Sequence, residues 1–246
     1  DIRVPYFNST GKFQEIPEGG ALTPKKLEQS SESGTVVHVG DAISINALSE
    51  AVRASGKDIH QVAREMMLAG FVAKVDDILT ARAAARAVAA SMVYDGSGAN
   101  VSDTAIVGTM KLFGDELTRP RPALWLAPSG VTWDISALAD TTGRKLYVPN
   151  AGQNVVQING VPVEMSDKPD LSVASTSPQN YYSLLLKEGA LALWIDSEGL
   201  SIEIDRDSLA DDTLLVAHVY LVAHAYGTMA GGTKCGVAAM KTRASA

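Results

Sequence analysis

The sequence predicts an α+β fold in which strands lie at both ends of the chain and helices lie between them. Residues 2–7 and 35–45 are rich in the β-branched and aromatic types that strands favour. Apolar residues recur at helical spacing from residue 58 to about residue 82, and residues 181–246 again have a pattern typical of strands. Elements segregated in this way favour α+β over a doubly wound parallel sheet.

A long polar segment separates the first two predicted strands. Residues 8–34 contain scattered Gly, Pro and Ser and have no sustained period. A loop of this length is uncommon inside a compact domain and is usually functional or disordered. Two interpretations stay open at this point: a frayed tail, or a β-hairpin arm that contacts another molecule.

The strongest helix pattern begins at Asp58. This residue is suited to cap a helix, and Gln61 follows three residues later as in a capping box. A helix over residues 58–82 spans roughly 35 Å at a rise of about 1.5 Å per residue. The Ala-rich residues 83–93 form either a second helix or a bent extension, and a break is predicted at 95–98.

The remaining elements follow from shorter patterns. Ser102 is a candidate cap for a second long helix over 101–119, and residues 157–164 alternate around Asn159-Gly160 as a hairpin or a kinked strand would. The other predictions are a buried strand at 123–127, a short helix or turn at 131–139, a strand–turn–strand unit within 181–196, and strands at 201–207, 213–226 and 237–241.

Composition excludes several classes of protein. The 246 residues are 46% apolar and 20% charged, and 21 basic against 28 acidic groups give a net charge of −7 that is spread evenly. A protein that coats nucleic acid needs clustered Lys and Arg, which are missing. The single Cys235 excludes a disulfide framework within the chain. The longest uncharged stretch is 213–233. It is too polar for a membrane span, and its apolar part is too short for one.

The chain has few residues that indicate chemistry. His218 and His224 lie six residues apart in a strand pattern, so both face one side and could share a metal, although core or interface histidines are the commoner case. Carboxylates that could hold a hard cation occur at Asp205, Asp207, Asp211 and Asp212, without the spacing of a calcium loop. Residues 227–236 lack the residue order of a phosphate loop, and we expect Cys235 to be structural. No catalytic residue, metal or cofactor is predicted.

Taken in order, these segments resemble the major capsid proteins of tailed bacteriophages, the Hong Kong 97 fold family. The stretch IPEGG at 16–20 resembles the family's E-loop, and TVVHVGDAISINALSEAV at 35–52 resembles the return strand that leads into the long spine helix. Residues 101–116 and 123–138 resemble the helix, central strand and short helix of the axial domain, and 156–167 its next strand. Residues 181–207 and 214–227 resemble the exit into the peripheral strands.

The resemblance implies a domain plan. Residues 1–40 form the E-loop arm, residues 41–100 and 191–246 form the peripheral domain with its spine helix, and residues 101–190 form the axial domain. The arm lies over a neighbouring subunit. Its implied contact residues are Lys12, Phe13, Ile16, Lys25 and Lys26.

The same resemblance implies a structural protein and no enzyme. Copies of the chain assemble in the host cytoplasm, as hexamers and pentamers, into an icosahedral head shell. This shell is part of the virion. The shell encloses double-stranded DNA without sequence-specific binding, works with scaffolding, decoration and portal proteins, and needs no membrane or cofactor. Some relatives join subunits through a Lys–Asn bond near the C-terminus, but no Asn follows Asn180, so no such cross-link is expected.

Two alternatives remain open. The same fold serves encapsulin-type nanocompartments, which enclose an enzyme rather than DNA. A different class is a hydrolase or metal enzyme that uses His218, His224 and the carboxylates at 205–212.

Overall fold

A computed structural model describes residues 2–7, 29–46, 58–117, 121–147, 156–166, 172–173, 180–207, 212–228 and 234–243. All five predicted arm contacts, Lys12, Phe13, Ile16, Lys25 and Lys26, lie outside these residues. In the described part, no helix is both long enough and apolar enough to cross a membrane.

Helices and strands both contribute to the described chain, so the predicted α+β class is confirmed. The helices are α1 (Ile59–Ala89), α2 (Asp103–Lys111), α3 (Ser129–Ala137) and a short 3-10 helix (Gly114–Glu116). The strands are β1 (Ile2–Phe7), β2 (Gln29–Gly34), β3 (Val36–Asn46), β4 (Val93–Asn100), β5 (Pro122–Ala127), β6 (Gln157–Ile158), β7 (Val161–Met165), β8 (Ser172–Val173), β9 (Asn180–Lys187), β10 (Leu191–Ile195), β11 (Ser201–Asp207), β12 (Asp212–Ala225) and β13 (Val237–Arg243).

The chain divides into two compact units. The first unit contains residues 1–2, 34–79 and 193–223, and the second contains residues 3–33, 80–192 and 224–246. Helix α1 gives its first 21 residues, 59–79, to the first unit and the rest to the second.

A four-stranded sheet forms the first unit. Its strands run in the order β10-β12-β11, and β3 pairs antiparallel with β12 so that Val39 lies opposite Val219. Alternate residues of a strand face one side, and here the apolar ones face α1. Met67 and Val75 of the helix are buried against this sheet face.

A seven-stranded sheet forms the second unit, in the order β4-β13-β9-β5-β7-β6, with β8 paired to β9. One sheet face packs against α2 and α3, where Phe113, Trp125 and Ile135 are fully buried. The opposite face packs against the end of α1, where Ala83 and Ala87 lie in a cluster with residues of β9 and β13. Alanines suit this position because they let the helix backbone come close to the sheet.

Two predicted helix boundaries were wrong. Helix α1 continues without interruption to Ala89, because its Ala-rich end is buried on the sheet. Helix α2 ends at Lys111 rather than near residue 119, and Gly114 then takes a positive φ of 56° that favours glycine. The break predicted at 95–98 lies inside β4, which pairs parallel with β13 and has an irregularity between Lys241 and Arg243.

The last strand, β13, decides part of the division into units. Residues 80–100 and 224–246 belong with the unit that contains residues 101–190. The reason is β13, which lies between β4 and β9 in one sheet. The assignment of peripheral and axial roles to parts of the chain stays a prediction.

Candidate interaction surfaces

The base of the predicted arm is a pair of strands. β1 and β2 form a two-stranded sheet, so residues 8–28 start and end on neighbouring strands. This geometry agrees with a hairpin at the base of the arm. Val4 of β1 is buried, whereas Ile2 is half exposed.

Helix α1 is apolar on more than one side within the first unit. Residues 66–73, MMLAGFVA, contain no charged side chain. Met67 is buried against the sheet, but Met66 is 64% exposed, Leu68 54% and Val72 53%. A helix that is apolar all round is normally buried. We define Met66, Leu68 and Val72 as the outer face of α1, a candidate contact surface that the sequence analysis missed.

The uninterrupted apolar run was the available signal for this face. A helix that packs on one side only needs apolar residues at every third or fourth position, with polar residues between them. Residues 66–73 have more apolar positions than packing on one side needs. Met66 and Met67 both belong to the apolar pattern at helical spacing in residues 58–82, but only Met67 is buried.

Strand β10 is a second exposed apolar element. It is the end strand in the order β10-β12-β11, and Leu193, Trp194 and Ile195 are each at least 36% exposed. Apolar strands at a sheet edge tend to pair with other chains unless they are covered.

In the second unit, Trp133 of α3 is 66% exposed and Met165 of β7 is 57% exposed. Exposed Trp is typical of protein interfaces.

The first unit also contains a partly open cavity of about 350 Å³ between β3 and α1. Val37, Val39, Met67 and Phe71 line it together with Gly70. Most of this lining is apolar, which suits an apolar side chain better than a polar substrate.

The two histidines considered for a metal site have other partners. The ring of His218 lies 6.0 Å from the ring of His38, which stacks on Tyr220 at 4.5 Å. His224 is buried and its Nε2 lies 3.0 Å from Glu32 Oε2. Of the predicted carboxylates, Asp211 lies outside the described residues. Within the described ranges, no three His, Cys, Asp or Glu side chains come together as a metal site.

Lys234 and Cys235 have structural contacts. Lys234 Nζ donates a hydrogen bond to the carbonyl of Leu112, just after α2, where a cation is favourable to the helix dipole. Cys235 is buried and its Sγ donates to the carbonyl of Val237 at 3.0 Å. Burial raises the pKa of the Cys235 thiol, so the reactive thiolate is disfavoured. These contacts agree with the expected structural role of Cys235.

Comparison of the sequence with family models and with curated proteins finds no match. Comparison of the structure with solved structures finds many. A structure from Microbacterium phage Oxtober96 is 12% identical, with a TM-score of 0.69, over 98% of this chain and 86% of that one. The capsid of the native GTA particle is 15% identical, with a TM-score of 0.63, over 99% and 85%.

The third solved structure is of an encapsulin complex. The holo-SrpI encapsulin complex from Synechococcus elongatus is 11% identical, with a TM-score of 0.65, over 96% of this chain and 81% of that one. Identities this low establish fold rather than function. The chain has the Hong Kong 97 fold, which confirms the fold that the segment order predicts.

Proposed function

We propose that this chain is a structural major capsid protein whose copies assemble into the icosahedral head shell of a tailed bacteriophage. The observation that carries the proposal is the near-complete match of the fold to phage structures and to the capsid of the GTA particle. This role needs no catalytic residue, and it gives the exposed apolar side chains a purpose.

The physical case rests on those exposed side chains. The outer face of α1, the edge strand β10 and Trp133 leave large apolar groups in water. Each buried CH₂ contributes about 0.8 kcal/mol, so covering such surfaces favours association. A closed shell repeats a few interfaces many times, and hexamers and pentamers of one chain satisfy that requirement.

The arm supplies a further contact in this proposal. Beyond its base strands β1 and β2, the arm extends over a neighbouring subunit, and Lys12, Phe13, Ile16, Lys25 and Lys26 meet it. The remaining polypeptide forms peripheral and axial domains as the resemblance implies. Scaffolding, portal and decoration proteins are the other partners, and assembly takes place in the host cytoplasm before the chain becomes part of the virion.

The charge suits a container for DNA. A net charge of −7 without a basic cluster gives the shell little affinity for phosphate. Double-stranded DNA is then enclosed without sequence-specific binding, and it leaves the shell without a strong electrostatic penalty. The proposal therefore assigns no cofactor, metal or DNA-reading residue to the chain.

A second candidate is an encapsulin-type nanocompartment shell. The likeness to the holo-SrpI encapsulin complex supports it, with a TM-score close to those of the phage structures. The two candidates share a shell and differ in the contents.

Expression of the full gene together with its neighbours tests the proposal. We expect particles tens of nanometres across in negative-stain microscopy and in the void fraction of a sizing column. Nuclease-resistant DNA inside particles made during infection or induction supports the capsid, whereas a packaged enzyme supports the nanocompartment. A chain that stays monomeric or dimeric at high concentration in this setting contradicts both.

A further inference from the structure

Glu32 on β2 makes several polar contacts. The sequence of the strand, QSSESG, does not predict them. Its Oε2 accepts a hydrogen bond from Arg86 Nη2 at 2.8 Å and lies 3.0 Å from His224 Nε2. The backbone N–H of Gly227 lies 3.0 Å from Oε1 and 3.2 Å from Oε2. A carboxylate only accepts hydrogen bonds, so His224 must carry its proton on Nε2.

The contacts join three separate parts of the second unit. Glu32 belongs to β2, Arg86 to the last turn of α1, and His224 and Gly227 to the end of β12 and the residues after it. Arg86 strengthens the junction because its Nε also donates to the carbonyl of Ala225 at 2.8 Å. One carboxylate therefore holds segments that are 54 and 192 residues away in sequence.

The site is shaped to hold this carboxylate. A Cβ at position 227 would lie 2.9 Å from Glu32 Oε1 and 3.0 Å from Arg86 Nη1, so a larger residue there would force the ends of these two side chains to shift. The side chain of Glu32 is 19% exposed, that of Arg86 30% and that of His224 7%. Groups so shielded from water interact more strongly than a surface ion pair does.

The charges balance within the cluster. Arg86 compensates Glu32, and the ring of Tyr226 meets that of His224 nearly at a right angle, with 5.4 Å between the ring centroids. Burial and the Glu32 carboxylate raise the pKa of the Tyr226 hydroxyl, so this neighbour stays neutral. Removing Glu32 leaves Arg86 and His224 without their shared acceptor, which is costly for partly buried groups.

We propose that Glu32, Arg86, His224 and Gly227 form a latch that holds β2, and with it the root of the arm, on the second unit. Because β2 directly follows residues 8–28, the latch fixes the point at which the arm rejoins the second unit. The Glu32 carboxylate accepts every hydrogen bond that joins β2 to the rest of the latch, so β2 is released when these bonds break together. The latch is a property of the single chain, and its test does not depend on shell assembly.

Hydrogen–deuterium exchange on the unassembled full chain tests the latch. We compare the natural protein with Glu32→Ala and with the near-isosteric Glu32→Gln. In Glu32→Ala we expect the amides of β2 to exchange at least about tenfold faster, because hydrogen bonds to a charged group are lost together. The amides of β9 and β13 are expected to keep their rates.

Glu188→Ala is the matched control. It makes the same change of charge in the same unit, at an exposed turn residue. It is expected to leave exchange in β2 unchanged. Unchanged exchange of β2 in Glu32→Ala, or an equal rise in β2, β9 and β13, overturns the latch. If Glu32→Ala does not fold, Glu32→Gln and Arg86→Lys give the same comparison with smaller perturbations.

Discussion

The ring of Tyr94 on β4 lies directly against the backbone of Gly108 in α2, so that a Cβ built on Gly108 would overlap the ring edge. Glycine inside a helix costs about 1 kcal/mol relative to alanine. Here the cost is offset because the helix and the strand pack closer than any side chain at 108 allows. The contact fixes α2 on the edge of the large sheet.

Gly108→Ala is therefore expected to destabilise the chain by about 1–3 kcal/mol, as overpacked positions do. The helix propensity gained by alanine does not offset the clash, because the neighbour is an aromatic ring rather than the end of a flexible side chain. Urea unfolding of the unassembled chain measures the change. A midpoint equal to or above that of the natural protein contradicts this prediction.

Gly70→Ala serves as the matched comparison, because no atom lies within 4 Å of a Cβ built there. Gly70 is also in the interior of a helix, α1. We expect this change to raise the free energy of unfolding by up to about 1 kcal/mol. The two glycines thus predict opposite signs for the same substitution.

Leu68→Glu tests the outer face of α1. Leu68 is 54% exposed in the single chain, so the free energy of unfolding should change by no more than about 0.5 kcal/mol. Assembly should fall at least about tenfold, since a charge must then be buried at a contact. Particle yield by sedimentation gives the readout. Arg64→Gln changes the charge by the same amount on the same helix at an exposed position and should assemble normally.

Equal yields from Leu68→Glu and Arg64→Gln contradict the assignment of this face to a subunit contact. A large loss of stability in the unassembled Leu68→Glu chain also contradicts it. In that case the leucine serves the fold of the chain rather than association.

Tyr147 predicts a pH dependence of stability. Its hydroxyl donates a hydrogen bond to Asp103 Oδ1 at 2.6 Å. Burial and the neighbouring carboxylate raise the pKa of Tyr147 well above its usual value near 10. The folded state then keeps the proton at pH values where the unfolded state loses it, so this part of the stability is present below pH 10 and lost as the pH rises further.

Tyr147→Phe removes that dependence. Chemical unfolding between pH 8 and 11 should show a steeper loss of stability in the natural protein than in Tyr147→Phe. At pH 8 the variant should be less stable by up to about 1 kcal/mol, because it lacks the hydrogen bond. Curves that run parallel across this range contradict the prediction.

Assembled particles are expected to contain no covalent cross-links between subunits. The sequence has no Asn after Asn180 to react with an arm lysine. Denaturing gel electrophoresis of boiled particles should give a single band at the position of the unassembled chain. A ladder of multimers would show that another residue provides the bond.

Local chemistry made some elements easy to predict. Asn159 and Gly160 have φ values of 52° and 82°, the left-handed pair that a tight hairpin requires, and the dipeptide alone predicts that turn. The strand at Ser201–Asp207 alternates apolar and charged residues, and its bounds agree with the prediction. In both cases the determining residues lie next to each other in sequence.

Long-range contacts explain what sequence reasoning missed. β4 contains the glycines that indicated a break, and it is a strand because β13, some 140 residues later, pairs with it. The sequence of β2 is typical of a polar loop. Its Glu32 is important only because it contacts Arg86 and His224. The outer face of α1 can be identified only when it is known that the other side of the helix is covered. No local pattern contains this information.

The position of β13 also affects how the chain is made. This strand is the last of the described elements, yet it lies between β4 and β9 inside the large sheet. During synthesis, β4 and β9 leave the ribosome before β13, which pairs with both of them, has been synthesised. The second unit therefore completes its sheet only when translation has passed residue 243, and incomplete chains expose unpaired strand edges that favour misassembly.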